Sequence, residues 1–411
     1  MTAGDFSILD GSLIALSVII AISMLRPGIR DAPFWRATVT PLASIIGSGF
    51  LVVVPLLASI TGSESVLAIV CIILLSFWIG GAVRFNILHD GRIHTAATDN
   101  TVVRMLERLS DVALAFAYVI SITFYIRLMC GFILTGLHTF TPFNADVLAT
   151  VILSFIGIYG LRRGLHGLER LEEYSVTIKL AIIASLLAGL IYYDGSNGYD
   201  LSALPSPETG LWEGLRLLGG MLLIVQGFET SKYLESSYDA PLRARTMRFA
   251  QILAGVIYVA FVALAMPLMA QFADIVPNET AIIDLSRNIT LVLPVMLVLA
   301  ATMSQFSAAI ADTIGAGGIA ENETAGRVSA RVIYPVITAL AVALIWNSNI
   351  FQVVALASRA FAFYYMLQAV LAARLAYRKA SGRRRQLLIG SYSGLALVLL
   401  LIVLFAIPVE A

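Results

Sequence analysis

Apolar segments long enough to cross a lipid bilayer recur along this chain and leave little sequence for anything else. A membrane-spanning helix needs about 20 apolar residues. The 411 residues are 59% hydrophobic and 13% charged, whereas soluble domains are about 25% charged. This composition excludes a soluble enzyme and predicts an all-α integral membrane protein with about 12 transmembrane helices. The predicted spans are 9–25, 37–60, 65–83, 111–137, 145–161, 174–193, 211–234, 249–272, 289–314, 330–346, 350–373 and 387–408.

Basic residues collect on one side of the membrane when these spans alternate in direction. The basic side receives the segments 26–36, 84–108, 162–170, 243–248, 327–331 and 374–385. The opposite loops are mainly acidic, with Arg287 as their clear base. Because cytoplasmic loops are enriched in Lys and Arg, the pattern predicts a multi-pass protein of the cell (inner) membrane. Both termini are then expected on the non-cytoplasmic side.

The span from Pro41 to Ala58 is interrupted near its middle by two glycines around a serine. Hydrocarbon offers no partner for exposed backbone groups, so such a break suits a helix that presents them to a small ligand. The N-terminal end of the outer half-helix would favour a carboxylate, and the carbonyl end of the inner half would favour an ammonium. The alternative is a close helix crossing through small residues. The break predicts these substrate-binding residues: Ile46, Gly47, Ser48 and Gly49.

A second interruption lies in the span Leu211–Leu234. Broken helices at corresponding places in the two halves of a membrane protein indicate a transporter's binding site. The second break adds Gln226, Gly227 and Phe228 to the substrate-binding set, together with Tyr125 from the span 111–137. Phe228 is expected to close over the substrate, with ordinary packing as its alternative. The aromatic run at 361–365 is interpreted as packing against lipid and neighbouring helices.

The ten central spans divide into two sets of five with opposite orientation, each beginning with a broken helix. This arrangement predicts an inverted repeat. The expected divisions are an extra N-terminal helix and cytoplasmic link at 1–35, a first repeat at 36–193, an outer linker at 194–210, a second repeat at 211–379 and a C-terminal helix at 380–411.

Three stretches resemble the amino acid–polyamine–organocation (APC) permeases. IIGSGFLVVVP resembles that family's first-helix signature, where a glycine-rich break binds the substrate's carboxylate. GFETSKYLESSYDAPLRARTMRFA is similar to the sixth helix and the turn after it, with Asp239, Pro241 and Arg243 in the place of the family's Asx-Pro-x-Arg element. EEYSVTIKLAIIASLL resembles the fifth helix with its intramembrane lysine, here Lys179. The resemblance implies a leucine-transporter-type fold, from which this chain departs by a helix ahead of the first broken one.

Lys179 lies inside a predicted span, where a charged lysine costs about 3 kcal/mol on insertion scales and needs partners. The resemblance implies that its ammonium stands where sodium-coupled relatives hold sodium, near Ser304 and Ser307. We therefore expect Lys179 to replace a coupling sodium ion and to carry a transported proton. Snorkelling to the membrane interface is the alternative.

Three further charged residues inside spans are candidates for a gate or relay: Arg127, Glu229 and Asp312. Arg127 needs an anionic partner, and either of the two carboxylates is a candidate. Glu229 has the alternative of pairing with Lys232, three residues further along.

The function predicted from these features is secondary active transport of a small amino acid or related organic amine by alternating access, coupled to protons or running as exchange. A sodium-coupled or inorganic-ion transporter on the same fold is the alternative, as is a membrane ligand sensor that does not transport. No catalytic constellation, metal cluster or cofactor motif is apparent, so we expect no enzyme activity and no cofactor. The expected partners are a small-molecule solute, protons or sodium, and membrane lipid, with no nucleic acid; the oligomeric state stays open.

Overall fold

The computed structural model describes residues 6–47, 49–90, 101–137, 139–202, 204, 210–270, 283, 285–347 and 350–407. These residues form helices joined by short connections, with no strand among them. Eight helical runs among the described residues are long and apolar enough to cross a membrane, and Ile8–Met24 is a shorter apolar helix. An all-helical membrane protein is therefore what the sequence predicted.

The α-helices are labelled here in chain order. They are α1 (Ile8–Met24), α2 (Pro33–Ile45), α3 (Gly49–Thr61), α4 (Ser65–Asp90), α5 (Thr101–Gly136), α6 (Pro142–Asn197), α7 (Leu211–Gly220), α8 (Ala240–Ala270), α9 (Leu293–Glu323), α10 (Ala330–Asn347), α11 (Ile350–Lys379) and α12 (Gly382–Phe405). Pro27–Arg30 forms one further helical turn, and Met221–Val225 and Phe228–Tyr233 are 3₁₀ segments.

Helix α6 is a 56-residue run that covers two predicted spans. Gly164 interrupts it with φ +65° and ψ −162°, a backbone conformation essentially restricted to glycine. The chain turns at this residue, so that the two halves of α6 correspond to the predicted spans 145–161 and 174–193.

The first predicted break lies between α2 and α3. Helix α2 ends at Ile45, Ile46 leaves the helical region with φ −87° and ψ 60°, and α3 begins at Gly49. Ser48 lies outside the described residues. Every residue from Ala37 to Ile46 is buried, so α2 runs through the centre of the bundle rather than along its lipid-facing surface.

The second predicted break separates α7 from α8. The helix tightens into the 3₁₀ segment Met221–Val225, Gln226 is extended, and Gly227 has φ +112°. The 3₁₀ segment Phe228–Tyr233 then continues the chain, and all of its residues are buried.

The two terminal helices pack on the outside of this core. Helix α1 packs along α6, where Ser17 Oγ lies 2.7 Å from Ser185 Oγ. Helix α12 packs mainly on α11, and only Tyr392, Leu395 and Leu399 of it are buried. Neither helix contributes a side chain to the contacts at the two breaks described below.

Replacing Gly164 by Ala should destabilise the protein, because alanine is strained at φ +65°. The expected loss is about 1–3 kcal/mol, measured as a lower thermal unfolding midpoint in detergent. Gly131→Ala is the matched control, since nothing lies within 4 Å of a Cβ at that helical glycine. Equal midpoints for both variants would contradict the role assigned to Gly164.

Candidate functional site

The two broken helices meet at their breaks. A Cβ placed on Gly227 would stand 2.2 Å from Ser44 Oγ on α2, and one on Gly49 would stand 2.5 Å from Ile224 Cγ2. The hydroxyl of Tyr258, on α8, lies 3.0 Å from the carbonyl oxygens of both Ile45 and Ile224. Two carbonyl groups exposed by the breaks thus share one hydroxyl, which links the two unwound segments.

Lys179 reaches the first break from α6. Its Nζ atom donates to the carbonyl oxygens of Ala43 at 2.8 Å and Ile46 at 2.6 Å, and to Ser307 Oγ at 2.9 Å. The side chain is completely buried. An ammonium has three donors, and these three oxygens accept all of them. Lys179 therefore lies in the interior and does not snorkel to the membrane interface.

Two serines of α9 complete the contacts around the unwound carbonyl groups. Ser304 Oγ donates toward the carbonyl oxygens of Ile46 at 2.6 Å and Gly47 at 2.9 Å. Ser307 Oγ in turn lies 3.0 Å from the Ser304 carbonyl oxygen. The structure thus brings Ile46, Gly47, Ser304 and Ser307 together around Lys179, as the sequence predicted, while their role in transport stays a prediction.

Asp312 and Glu229 are two fully buried carboxylates near the oxygens that surround Lys179. Asp312 accepts hydrogen bonds from Ser44 Oγ at 3.0 Å and from Ser121 Oγ. Its hydrogen-bond partners are hydroxyl groups, and neither carboxylate makes an ion pair among the described residues.

Glu229 is held by two tyrosines and one backbone N–H. Tyr365 OH donates to its Oε2 at 2.6 Å, Gly227 N donates to the same oxygen at 2.9 Å, and Tyr118 OH lies 3.3 Å from Oε1. Tyr118 and Ser121, the α5 partners of the two carboxylates, are three residues apart and hence neighbours on one helix face. The two acids therefore share one short stretch of α5.

The other predicted substrate-binding side chains line the same region. Gln226 Nε2 donates to Tyr125 OH at 3.0 Å, whereas Gln226 Oε1 is buried without a hydrogen-bond partner among the described residues. Phe228 is buried and stacks on Tyr365, with ring centroids 5.3 Å apart. A crevice between α7, α11 and α12 reaches Gln226 and Tyr365, and Arg359 lines it.

The prediction that Arg127 pairs with Asp312 or Glu229 was wrong. Arg127 pairs with Asp146, at 3.2 Å between Nη2 and Oδ1, and not with Asp312 or Glu229. Helix α5 ends at Gly136 and α6 begins at Pro142, so the last turns of one helix meet the first turns of the other. This local hairpin explains the pairing, which spacing within one span did not reveal.

The alternative ion pair between Glu229 and Lys232 is not formed either. Lys232 Nζ lies 3.7 Å from Asp111 Oδ1 on α5 and 5.4 Å from the Tyr233 ring centroid. The spacing itself does not separate them, because side chains three apart eclipse in a 3₁₀ segment. Lys232 contacts Asp111 instead, and Glu229 accepts from Tyr365 and Tyr118.

Sequence reasoning did not find four polar residues that hold the site. Ser44, Ser121 and Tyr118 carry no charge or motif that marks them, and Tyr258 lies in an apolar span with only a hydroxyl to distinguish it. Tyr365 was placed in an aromatic run interpreted as packing, and its hydroxyl contact with Glu229 adds to that interpretation.

A family model described as an APC superfamily transporter matches residues 27–406 of the chain. The chain therefore belongs to the APC superfamily. Among relatives, this APC superfamily transporter is 42% identical over 396 residues to an uncharacterized protein of Aquifex aeolicus (strain VF5), with 96% of each chain covered.

A solved structure has the same fold as this chain. The substrate-bound outward-open state of a Na⁺-coupled sialic acid symporter superposes with a TM-score of 0.56 at 12% identity, covering 99% of this chain and 100% of that one. The predicted fold class is thus confirmed: an all-α, leucine-transporter-type transporter with a five-plus-five inverted-repeat core, two broken helices and one extra helix at each end. Family and fold support a secondary transporter in a membrane that it crosses many times.

Gly227→Ala should disrupt the meeting of the two breaks, because a methyl group there would overlap Ser44 and alanine is strained at φ +112°. Overpacking of this kind typically costs about 1–3 kcal/mol, so we expect a lower thermal midpoint and loss of solute transport. Gly219→Ala is the matched control, since its Cβ would make ordinary contacts at 3.5 Å. A Gly227→Ala variant that melts and transports like Gly219→Ala would refute the close approach.

Proposed function

We propose that this APC superfamily transporter moves a small amino acid or related organic amine across the membrane by alternating access, coupled to protons or in exchange. The observation that carries the proposal is the buried ammonium of Lys179 among the carbonyl groups of the first break. It is supported by two buried carboxylates next to that break, which give the site a preference for a cationic group.

The position of Lys179 bears on the coupling ion. Hard cations such as sodium take oxygen ligands, and here Ala43 O, Ile46 O and Ser307 Oγ already accept from the ammonium. A sodium ion at the same oxygens would face a positive charge a few ångströms away. Loss of the Lys179 proton would remove the positive charge and one hydrogen-bond donor. The three oxygens would then no longer surround an ammonium. A proton on Lys179 can therefore act in the place of a coupling ion.

The buried polar groups near the two breaks support a positively charged group on the substrate. Glu229 and Asp312 are completely buried, and a buried charge is stable only when it is paired or well hydrogen-bonded. Their described partners are hydroxyls and one N–H rather than a base. The unpartnered Oε1 atoms of Gln226 and Gln305 are two further acceptors without donors. An ammonium supplies both the missing positive charge and the missing donors.

A carboxylate on the same solute would have a place as well. Helix α3 begins at Gly49, beside Ile224 of the second broken helix, and its first N–H groups have no partner within the helix. A zwitterion would then hold its ammonium near the acids and its carboxylate near α3, whereas a simple amine would use the acids alone. Phe228, stacked on Tyr365, lies where it can cover the solute.

We further propose residues 36–193 and 211–379 as the two repeats that move against each other. The basic face of the membrane is proposed as the cytoplasmic one, which puts the termini on the other side. Arg127 with Asp146 lies at the non-cytoplasmic end in this orientation, where it ties α5 to α6.

Lys179→Ala should lose proton-driven uptake, since the variant has no titratable group at the carbonyl oxygens of Ala43 and Ile46. In proteoliposomes, accumulation of labelled alanine or putrescine under an imposed pH gradient should fall about tenfold or more, equivalent to about 1.4 kcal/mol. A sodium gradient applied to the same vesicles tests the alternative. Lys379→Ala, on the exposed end of α11, is the control. Unchanged proton dependence in Lys179→Ala would overturn the proton-carrier role, and wild-type uptake driven by sodium alone would favour the sodium-coupled alternative.

Asp312→Asn and Glu229→Gln should each weaken binding of amines. A ligand present at 100 times its dissociation constant stabilises a protein by about 2.7 kcal/mol, so putrescine should raise the wild-type melting midpoint and raise it less in either variant. Succinate, a dianion, should give no shift. Asp200→Asn, at an exposed position, should behave as wild type. Stabilisation of the wild type by succinate but not by putrescine or alanine would refute a cation-selective site.

A further inference from the structure

Three polar contacts join α2 to the second half of α6 in sequence order. Arg36 Nη2 donates to Glu169 Oε2 at 2.9 Å, and Thr40 Oγ1 donates to Glu172 Oε2 at 2.8 Å. Lys179 then contacts Ala43 O and Ile46 O, as described above. The two helices therefore run side by side in the same direction, and the contacts lead from the basic face of the membrane to the first break.

Glu172 is the middle member of this series, and the coupling mechanism above does not use it. Its side chain is completely buried. Thr40 is the hydrogen-bond donor to Oε2, and Oε1 is buried with no partner among the described residues. A carboxylate with one hydroxyl donor and an open oxygen is poorly stabilised as a bare anion in such surroundings. It is well suited to hold a proton on the open oxygen.

Glu172 and Lys179 contact successive turns of α2 from the same face of α6. The partner of Glu172 is Thr40, and the nearest α2 partner of Lys179 is the carbonyl of Ala43, three residues on. Three residues of helix rise about 4.5 Å. Along α6 the two residues are seven apart, so they lie on the same face. The rise between them along α6 is about 10.5 Å, so carboxyl and amine are separated by about one to two helical turns, and a proton would pass between them through bridging water.

A cavity opens at the other end of the series. It is lined by residues of α2, α6 and the turn before α2, namely Arg30, Asp31, Arg36, Val39, His166, Glu169, Arg170 and Glu173. Glu169 therefore borders the cavity on one side, and Glu172 lies one turn further inside on the same helix. Water in this cavity can exchange protons with the series without crossing the apolar interior.

We propose that Glu172 is an internal proton relay that connects this cavity to Lys179. The relay rests on the proposed function, because it matters only if Lys179 exchanges its proton during transport. In the charging step the O–H bond of the Glu172 carboxylic acid breaks and its proton passes through bridging water to the neutral Lys179 amine. A new N–H bond forms, and the products are a Glu172 carboxylate and a Lys179 ammonium. Glu172 then regains a proton from the water of the cavity, at the end of the series where Glu169 lies.

The charged and titratable groups around Glu172 come from several elements. Glu169 and Lys179 flank it on α6, Arg36 lies on α2, Tyr238 OH donates to Glu169 Oε1 from the segment before α8, and Asp312 lies on α9. Arg36 is paired with Glu169, so it partly neutralises the cavity end of the series. Lys179 lies at the inner end, and its neutral amine is the acceptor of the transferred proton.

The relay is tested with Glu172→Gln, which keeps an acceptor for Thr40 and removes the acid. Glu213→Gln is the control, because Glu213 is exposed in the first turn of α7 and lies outside the series and its cavity. Proteoliposomes containing a pH-sensitive dye report proton entry when labelled putrescine or alanine is added, and counterflow of the same solute is measured in parallel. We expect the ratio of proton-coupled uptake to counterflow to fall at least tenfold in Glu172→Gln, as when a positioned proton-transfer group is removed. The ratio should stay near wild type in Glu213→Gln.

An infrared measurement on purified protein tests the same residue without any solute. The wild type minus Glu172→Gln difference spectrum should contain a carboxylic-acid C=O band that shifts in D₂O, and the Glu213→Gln difference should lack it. Absence of this band from the Glu172 difference, or an unchanged uptake ratio in an active Glu172→Gln protein, overturns the relay. A wild type that shows neither counterflow nor proton entry with either solute instead counts against the proposed function, and the infrared result then decides the relay alone.

Discussion

The contact between the Lys179 ammonium and the unwound end of α2 is the interaction on which the rest of the site depends. A helix broken inside a membrane leaves carbonyl groups without partners, and each needs a donor from elsewhere in the protein. Lys179 donates to the carbonyl groups of Ala43 and Ile46. Ser304 donates to those of Ile46 and Gly47, and Tyr258 to that of Ile45. Helices α6, α9 and α8 are thereby fixed around one short stretch of chain, and the break can be kept open for a ligand.

The distribution of charge around that contact gives the site its chemical preference. Lys179 provides one buried positive charge beside the first break, while Asp312 accepts from Ser44 of the first broken helix and Glu229 lies in the second. The acids are oriented by Ser44, Ser121 and the two tyrosines, so the site presents acceptors rather than donors. In the proposed function, a solute with an ammonium group would complete this arrangement, and the proposed relay through Glu172 would change the charge on Lys179.

The broken helices and the buried lysine were predictable because each violates what an apolar span normally contains, and the positions of Ser304 and Ser307 were expected from the family resemblance. Glycine pairs and a mid-span lysine are costly in hydrocarbon, so their presence signals a local purpose. Partners that depend on how helices rotate against one another were not predictable. Arg127 meets Asp146 because α6 begins soon after α5 ends and packs back on it, and Glu229 accepts from Tyr365, which α11 places beside it. Hydroxyl groups such as that of Tyr258 leave no pattern in the sequence, since tyrosine is ordinary in a membrane span.

The central claim is that the two breaks form the binding site of a carrier. Counterflow in proteoliposomes tests it most directly, because exchange of labelled for unlabelled solute requires the site to open to both sides and needs no net driving force. Vesicles loaded with unlabelled putrescine or alanine should transiently accumulate the labelled solute, and the Gly227→Ala protein should not. Stabilisation of the protein by a solute that shows no counterflow under any gradient would contradict the account and would indicate a membrane receptor that binds without transport.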